Sequence, residues 1–150
     1  MSPYPAEMSD RYRLQRFVDA QDAGGTYARA VQELQSGRKA SHWMWFVFPQ
    51  IAGLGYSSIS REYAISGQAE ASAYLAHPIL GPRLVECAQI LTTKPGSSAV
   101  HIFGSVDAMK LRSSMTLFIS VAEPEEGVFR RVLDQFFGGV EDEATTSRLA

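Results

Sequence analysis

Ser41-His42-Trp43-Met44-Trp45-Phe46-Val47-Phe48-Pro49-Gln50 contains the longest apolar run of the chain, and its folding decides the architecture. So short a run can be a buried strand or a short buried helix, because periodicity does not separate the two. Ser41 has N-cap chemistry, Pro49 stops a helix, and the flanking segments have helical spacing. The expectation is therefore a short helix.

Upstream, Asp10 can cap a helix carrying Tyr12, Leu14, Phe17 and Val18, which Gly24-Gly25 breaks. Thr26 can cap a second, with Tyr27, Ala30, Val31 and Leu34 on one side and Gly37 at its end. Downstream, Gln50 to Ser57 is a glycine-bearing loop, and two short helices open at Ser58 and Ser66. His77-Pro78 precedes a helix whose stripe is Ile79, Leu80, Leu84, Cys87, Ile90 and Leu91. A linker with Pro95-Gly96 leads to a short apolar turn at 100–103. A helix from Val106 to Ala122 follows, with Ala108, Leu111, Met115, Phe118 and Ala122 as its core stripe. Pro124 interrupts, and a last helix, 125–137, ends at Gly138-Gly139. No alternating segment requires a sheet. The expectation is an all-α, compact single-domain bundle of about seven short-to-medium helices over residues 10–140. Residues 1–9 read as a loose tail, and 141–150 as a polar tail with room for one helical turn.

The 150 residues suit one domain, and 45% hydrophobic with 20% charged residues is globular composition. A net charge of −2 gives no basic footprint for nucleic acid. No run approaches the roughly 20 residues needed to span a bilayer. The single cysteine, Cys87, forms no internal disulfide and, in an apolar stripe, reads as an inert core thiol. The start of the chain lacks signal-peptide features, so the cytoplasm is the expected compartment.

Three constellations carry possible chemistry. Lys110, Ser113 and Ser114 share one helix face that continues into Leu117 and Val121. The face reads either as an anion pocket or as tight serine packing beside a snorkelling lysine. His42, Trp43, Trp45 and Gln50 can form an aromatic wall that stacks a flat ring, or a plain core segment. His77 and Arg83 flank a proline-containing helix start whose free N–H groups can face an anion. Asp107 can pair with Arg83 or Arg112, and His101 has no evident partner. His42, His77 and His101 lack metal-ligand spacing, so no metal or other cofactor is expected. Gly53-Leu54-Gly55 is not a dinucleotide fingerprint.

The stretches 41–50, Tyr-Leu-Ala-His-Pro-Ile-Leu-Gly-Pro-Arg-Leu at 74–84, Ile-Phe-Gly at 102–104 and Lys-Leu-Arg-Ser-Ser-Met-Thr-Leu-Phe at 110–118 resemble the bacterial domain-of-unknown-function family eighteen-ten. The resemblance covers about residues 10–140. It implies a small, predominantly helical fold and carries no settled activity. The calpastatin label sometimes attached to the family names a disordered repeat inhibitor, unlike this compact apolar sequence. The 77–86 stretch is also similar, over one helix, to the NADAR proteins that process ADP-ribose-type substrates. Together these readings give one expected pocket for a small anionic, nucleotide-like ligand. His42 and His77 would be its candidate acid or base, with Trp43, Trp45, Gln50, Arg83, Lys110, Ser113 and Ser114 as ligand-binding groups. The alternative is a non-catalytic interaction module or homodimer, using the Trp43/Trp45 segment or the helix with Phe129, Phe136 and Phe137.

Overall fold

Capping fixes several helix boundaries, and in places the cap is not the residue that the sequence offers first. In the computed structural model, which describes residues 10–149, the carboxylate of Asp10 accepts the backbone N–H groups of Leu14 and Gln15. It thereby starts α1 (Gln15–Asp22), which buries Phe17, Val18 and Gln21. Gly24 and Gly25, both at positive φ, turn the chain into α2 (Thr26–Ser36). Gly37 ends α2 in the left-handed region, with its N–H on the Leu34 carbonyl and that of Arg38 on Glu33.

The decisive stretch forms a single helical turn, α3 (Met44–Val47), and then leaves helical geometry. Ser41 does not cap it: the Ser41 hydroxyl donates instead to Glu33 Oε2 at 2.6 Å. Beyond Pro49 the chain extends, and Ile51 makes an isolated parallel bridge with Ile65. Ile65 donates to the Gln50 carbonyl and Ala52 to that of Ile65, both at 2.8 Å. The physical reason is burial on every side. Trp43, Met44, Phe46, Val47 and Phe48 are all core residues, so no polar face selects a longer helix.

The bridge also shortens the following helix, α4 (Ser58–Glu62), whose cap is Ser57 rather than Ser58. α5 (Gln68–Ala76) starts after Gly67, with Ser66 tied through its N–H and hydroxyl to Glu70 Oε1. α6 (Leu80–Thr92) and α7 (Ala99–Phe103, capped by Ser98) lead to α8 (Ser105–Ile119), which stops earlier than its apolar pattern implies. α9 (Val128–Phe137) starts later than expected and ends at Gly138. In the C-terminal segment Asp142 caps one turn, α10 (Glu143–Thr146), which lies on α8.

The described residues contain no strand, in line with an all-α bundle. Its axis is α8, contacted by α5, α7, α9 and α10 and buried continuously from Ser113 to Phe118. That burial explains serines within a helix face that reads as core. Few polar groups enter the interior, and most are paired: Arg16 bonds Glu70 at 3.0 Å, and Gln21 Nε2 donates to the Phe46 carbonyl at 2.7 Å. No helix among the described residues is long and apolar enough to cross a membrane.

Candidate functional site

Two lysines and one aspartate set the two tryptophans of the 43–45 turn apart. Trp43 is fully buried against Phe48 and Phe103. Its indole N–H donates to Glu33 Oε1 at 2.9 Å. The same carboxylate accepts the N–H groups of Ala40 and Ser41 and the Ser41 hydroxyl. Burial alone would raise the Glu33 pKa. The donors from Ser41, Ala40 and Trp43 outweigh it and bring the value down to about 2. Lys39, its side chain 8% exposed, reaches Asp107 at 2.8 Å and lies over the Trp43 ring. Lys110 lies over the Trp45 ring, 4.9 Å from its centroid, and pairs with the other oxygen of Asp107 at 3.5 Å. Asp107 thus clips both lysines, rather than pairing with Arg83 or Arg112.

Trp45 is half-buried and looks into a cleft between the 50–64 segment and α8. The cleft has two chambers that share Gln50, Leu54, Gly55 and Ser60 as a wall. One, of about 130 Å³, adds Trp45, Arg61 and Tyr63. The other, of about 300 Å³, adds Val106, Met109, Lys110, Ser113 and Asp142. Among the described residues, the side-chain polar groups of Trp45, Gln50, Arg61 and Tyr63 have no hydrogen-bond partner, and Lys110 has the Asp107 carboxylate and the Trp45 ring. Ser113 donates to the Met109 carbonyl or to Asp142 Oδ2, both at 3.1 Å. Asp142 Oδ2 also accepts the N–H and hydroxyl of Thr145.

The expected site residues are therefore divided. Trp45, Gln50, Lys110 and Ser113 meet in the cleft, whereas Trp43 belongs to the core. Ser114 is fully buried, and its hydroxyl has no partner among the described residues. His42 is exposed and lines neither chamber of the cleft. His77 Nδ1 accepts the N–H groups of Ile79 and Leu80 at 3.1 and 3.2 Å, so the imidazole itself fills the start of α6. Burial lowers the His77 pKa, opposed by Asp10. Arg83 pairs with Asp22 at 2.9 Å, bonds Gln21 and lies over Tyr27. No group of three or more metal-ligating side chains occurs among the described residues.

Glu33, Lys39, Arg61, Tyr63 and Asp142 were not singled out from sequence. Asp142 alone had a local signal, the Asp-x-x-Thr spacing of a helix cap. The others acquire their roles through contacts distant in sequence.

Residues 11–149 match the family described as "Protein of unknown function (DUF1810)". The chain belongs to this family. Among solved structures, it is similar to the conserved hypothetical protein Rv1873 from Mycobacterium tuberculosis, with 46% identity and a TM-score of 0.89. The match covers 93% of this chain and 98% of that one. No curated protein matches the chain in sequence. The family match and this structural relative are consistent with the helical fold, and neither description specifies an activity.

Proposed function

We propose that this family member binds a small, flat, anionic ligand of nucleotide type in the cleft between the 50–64 segment and α8. The observation that carries this reading is unspent hydrogen-bonding capacity. Elsewhere, several groups of the same chemical kind are engaged: Trp43 with Glu33, Gln21 with Phe46, Arg83 with Asp22 and Arg16 with Glu70. In the cleft, an indole, a carboxamide, a guanidinium, a phenol and an ammonium converge while keeping donors free. Such convergence of polar groups on partly apolar walls is the usual form of a ligand site. Trp45 and Tyr63 supply faces for a ring, Gln50 can read its edge, and Arg61 and Lys110 supply positive charge.

Binding is the activity these groups support. Acid–base chemistry on an ADP-ribose-type substrate would need a proton acceptor, and the carboxylate on the wall, Asp142, already accepts two hydrogen bonds from Thr145 on Oδ2, and a third when Ser113 donates to it. The cytoplasm is the compartment where a nucleotide-type ligand would be met.

A thermal-shift screen against nucleotides, NAD, ADP-ribose and phosphorylated metabolites tests the reading. A ligand at one hundred times its Kd adds roughly 2.7 kcal/mol of stability. That corresponds to a rise of about 5–10 °C for a chain of this size. Trp45→Ala and Gln50→Ala should remove the rise while the variants remain folded. No rise with any compound, or a rise indifferent to both substitutions, would remove the ligand cleft. The interaction-module alternative loses Trp43 and Phe129, both fully buried, and then rests on Val106 and Met109, exposed at 67% and 69% along α8. A monomer by light scattering would count against its homodimer form.

A further inference from the structure

We infer that the ligand is no larger than a mononucleotide and carries one acidic group, so that pyrophosphate-bearing compounds such as ADP-ribose and NAD fall outside its class. This rests on the cleft reading above and narrows it by size and by charge.

The chamber beside Trp45 and Tyr63 has a volume of about 130 Å³, and the one beside Lys110 about 300 Å³. Sites for drug-sized ligands run from about 300 to 1,000 Å³. The smaller chamber accepts a single ring. The larger, open to solvent, accepts the substituent on that ring, and a second nucleoside would extend into solvent without a wall to bind it.

Charge restricts the class further. Of the two cations in the cleft, Arg61 borders the ring chamber and Lys110 alone lines the larger one, where its ammonium is shared with Asp107 at 3.5 Å. A carboxylate, Asp142, lines the same chamber. One acidic group can sit against Lys110. A second would lie close to Asp142, and opposing like charges weakens binding.

Titration calorimetry of the full chain with matched probes tests this inference. Adenosine 5′-monophosphate and nicotinic acid represent a ring with one acidic group, and ADP-ribose and NAD represent the diphosphates. The better single-acid probe should bind at least about tenfold more tightly than either diphosphate. Asp142→Asn, which retains a capping side chain, should narrow that gap. A diphosphate that binds equally well or better overturns the size and charge assignment and leaves the cleft reading standing. A gap unchanged by Asp142→Asn overturns the charge argument. No binding of any probe, or binding indifferent to Trp45→Ala and Gln50→Ala, overturns the cleft reading and this inference with it.

Discussion

Replacing Glu33 by alanine should unfold the protein more easily than the side chain's position near the end of α2 would lead one to expect. Its carboxylate accepts four hydrogen bonds: Ala40 N–H at 2.8 Å, Ser41 N–H at 3.0 Å, Ser41 Oγ at 2.6 Å and Trp43 Nε1 at 2.9 Å. Ala40 is exposed and Ser41 half-buried, so water can take over much of their bonding. Trp43 is fully buried. An orphaned buried donor costs about 1–3 kcal/mol, and loss of the remaining charge-assisted bonds adds about another 1 kcal/mol. The expected loss is about 2–4 kcal/mol in urea unfolding, or about 4–16 °C in Tm. Glu62→Ala is the control. Glu62 pairs with Arg13 at 3.8 Å with both side chains well exposed, and its removal should change stability by about 0.5 kcal/mol or less. The pH dependence has a definite sign. The Glu33 pKa is lowered from 4.5 to about 2, so its contribution is complete above 4.5 and disappears as pH falls towards 2. Glu33→Ala should therefore flatten the acid limb of the stability curve. Equal losses for Glu33→Ala and Glu62→Ala, or an unchanged acid limb, would refute the role assigned to this carboxylate.

Three other substitutions or probes test separate parts of the fold. The His77 pKa is lowered below 6.5, so the folded chain binds fewer protons and stability falls as pH drops below 6.5. His77→Asn, which can still cap α6, should remove that slope; a slope that persists would show that another group causes it. Gly81→Ala should destabilise by about 1–3 kcal/mol although alanine is the better helix former, because a Cβ there would lie 2.1 Å from the Leu75 carbonyl oxygen. A raised Tm would show that the α5–α6 turn yields. Burial, aided by the Glu86 charge and opposed by the Tyr27 hydrogen bond, pushes the Cys87 thiol up to about 12. A thiol reagent near neutral pH should label it only under denaturing conditions, and rapid labelling of the native protein would contradict an enclosed thiol.

The parts of the fold legible in the sequence are those in which one face of an element meets the core. α6 buries Leu80, Leu84, Cys87, Ala88 and Leu91, and α9 buries Val128, Phe129, Val132 and Leu133, largely as their spacing implies. The 43–48 run lacked that information because the core surrounds it, and its geometry follows from Glu33 on one side and the Ile51–Ile65 bridge on the other. For the site the same division holds. Residue type was enough to single out Trp45, Gln50, Lys110 and Ser113, because rings, amides and cations attract notice wherever they occur. It could not separate Trp45 from Trp43, two residues away and of identical chemistry. What separates them is a partner: Glu33 satisfies the Trp43 indole, and no described residue satisfies that of Trp45. Arg61 was overlooked for the converse reason. A charged residue on a one-turn helix reads as surface until the 51–65 bridge folds that turn against Trp45 and gives the guanidinium a wall to share. A candidate binding group in this fold is thus a polar side chain that the fold leaves without a protein partner beside a cavity. That property belongs to the network, and single residues do not display it.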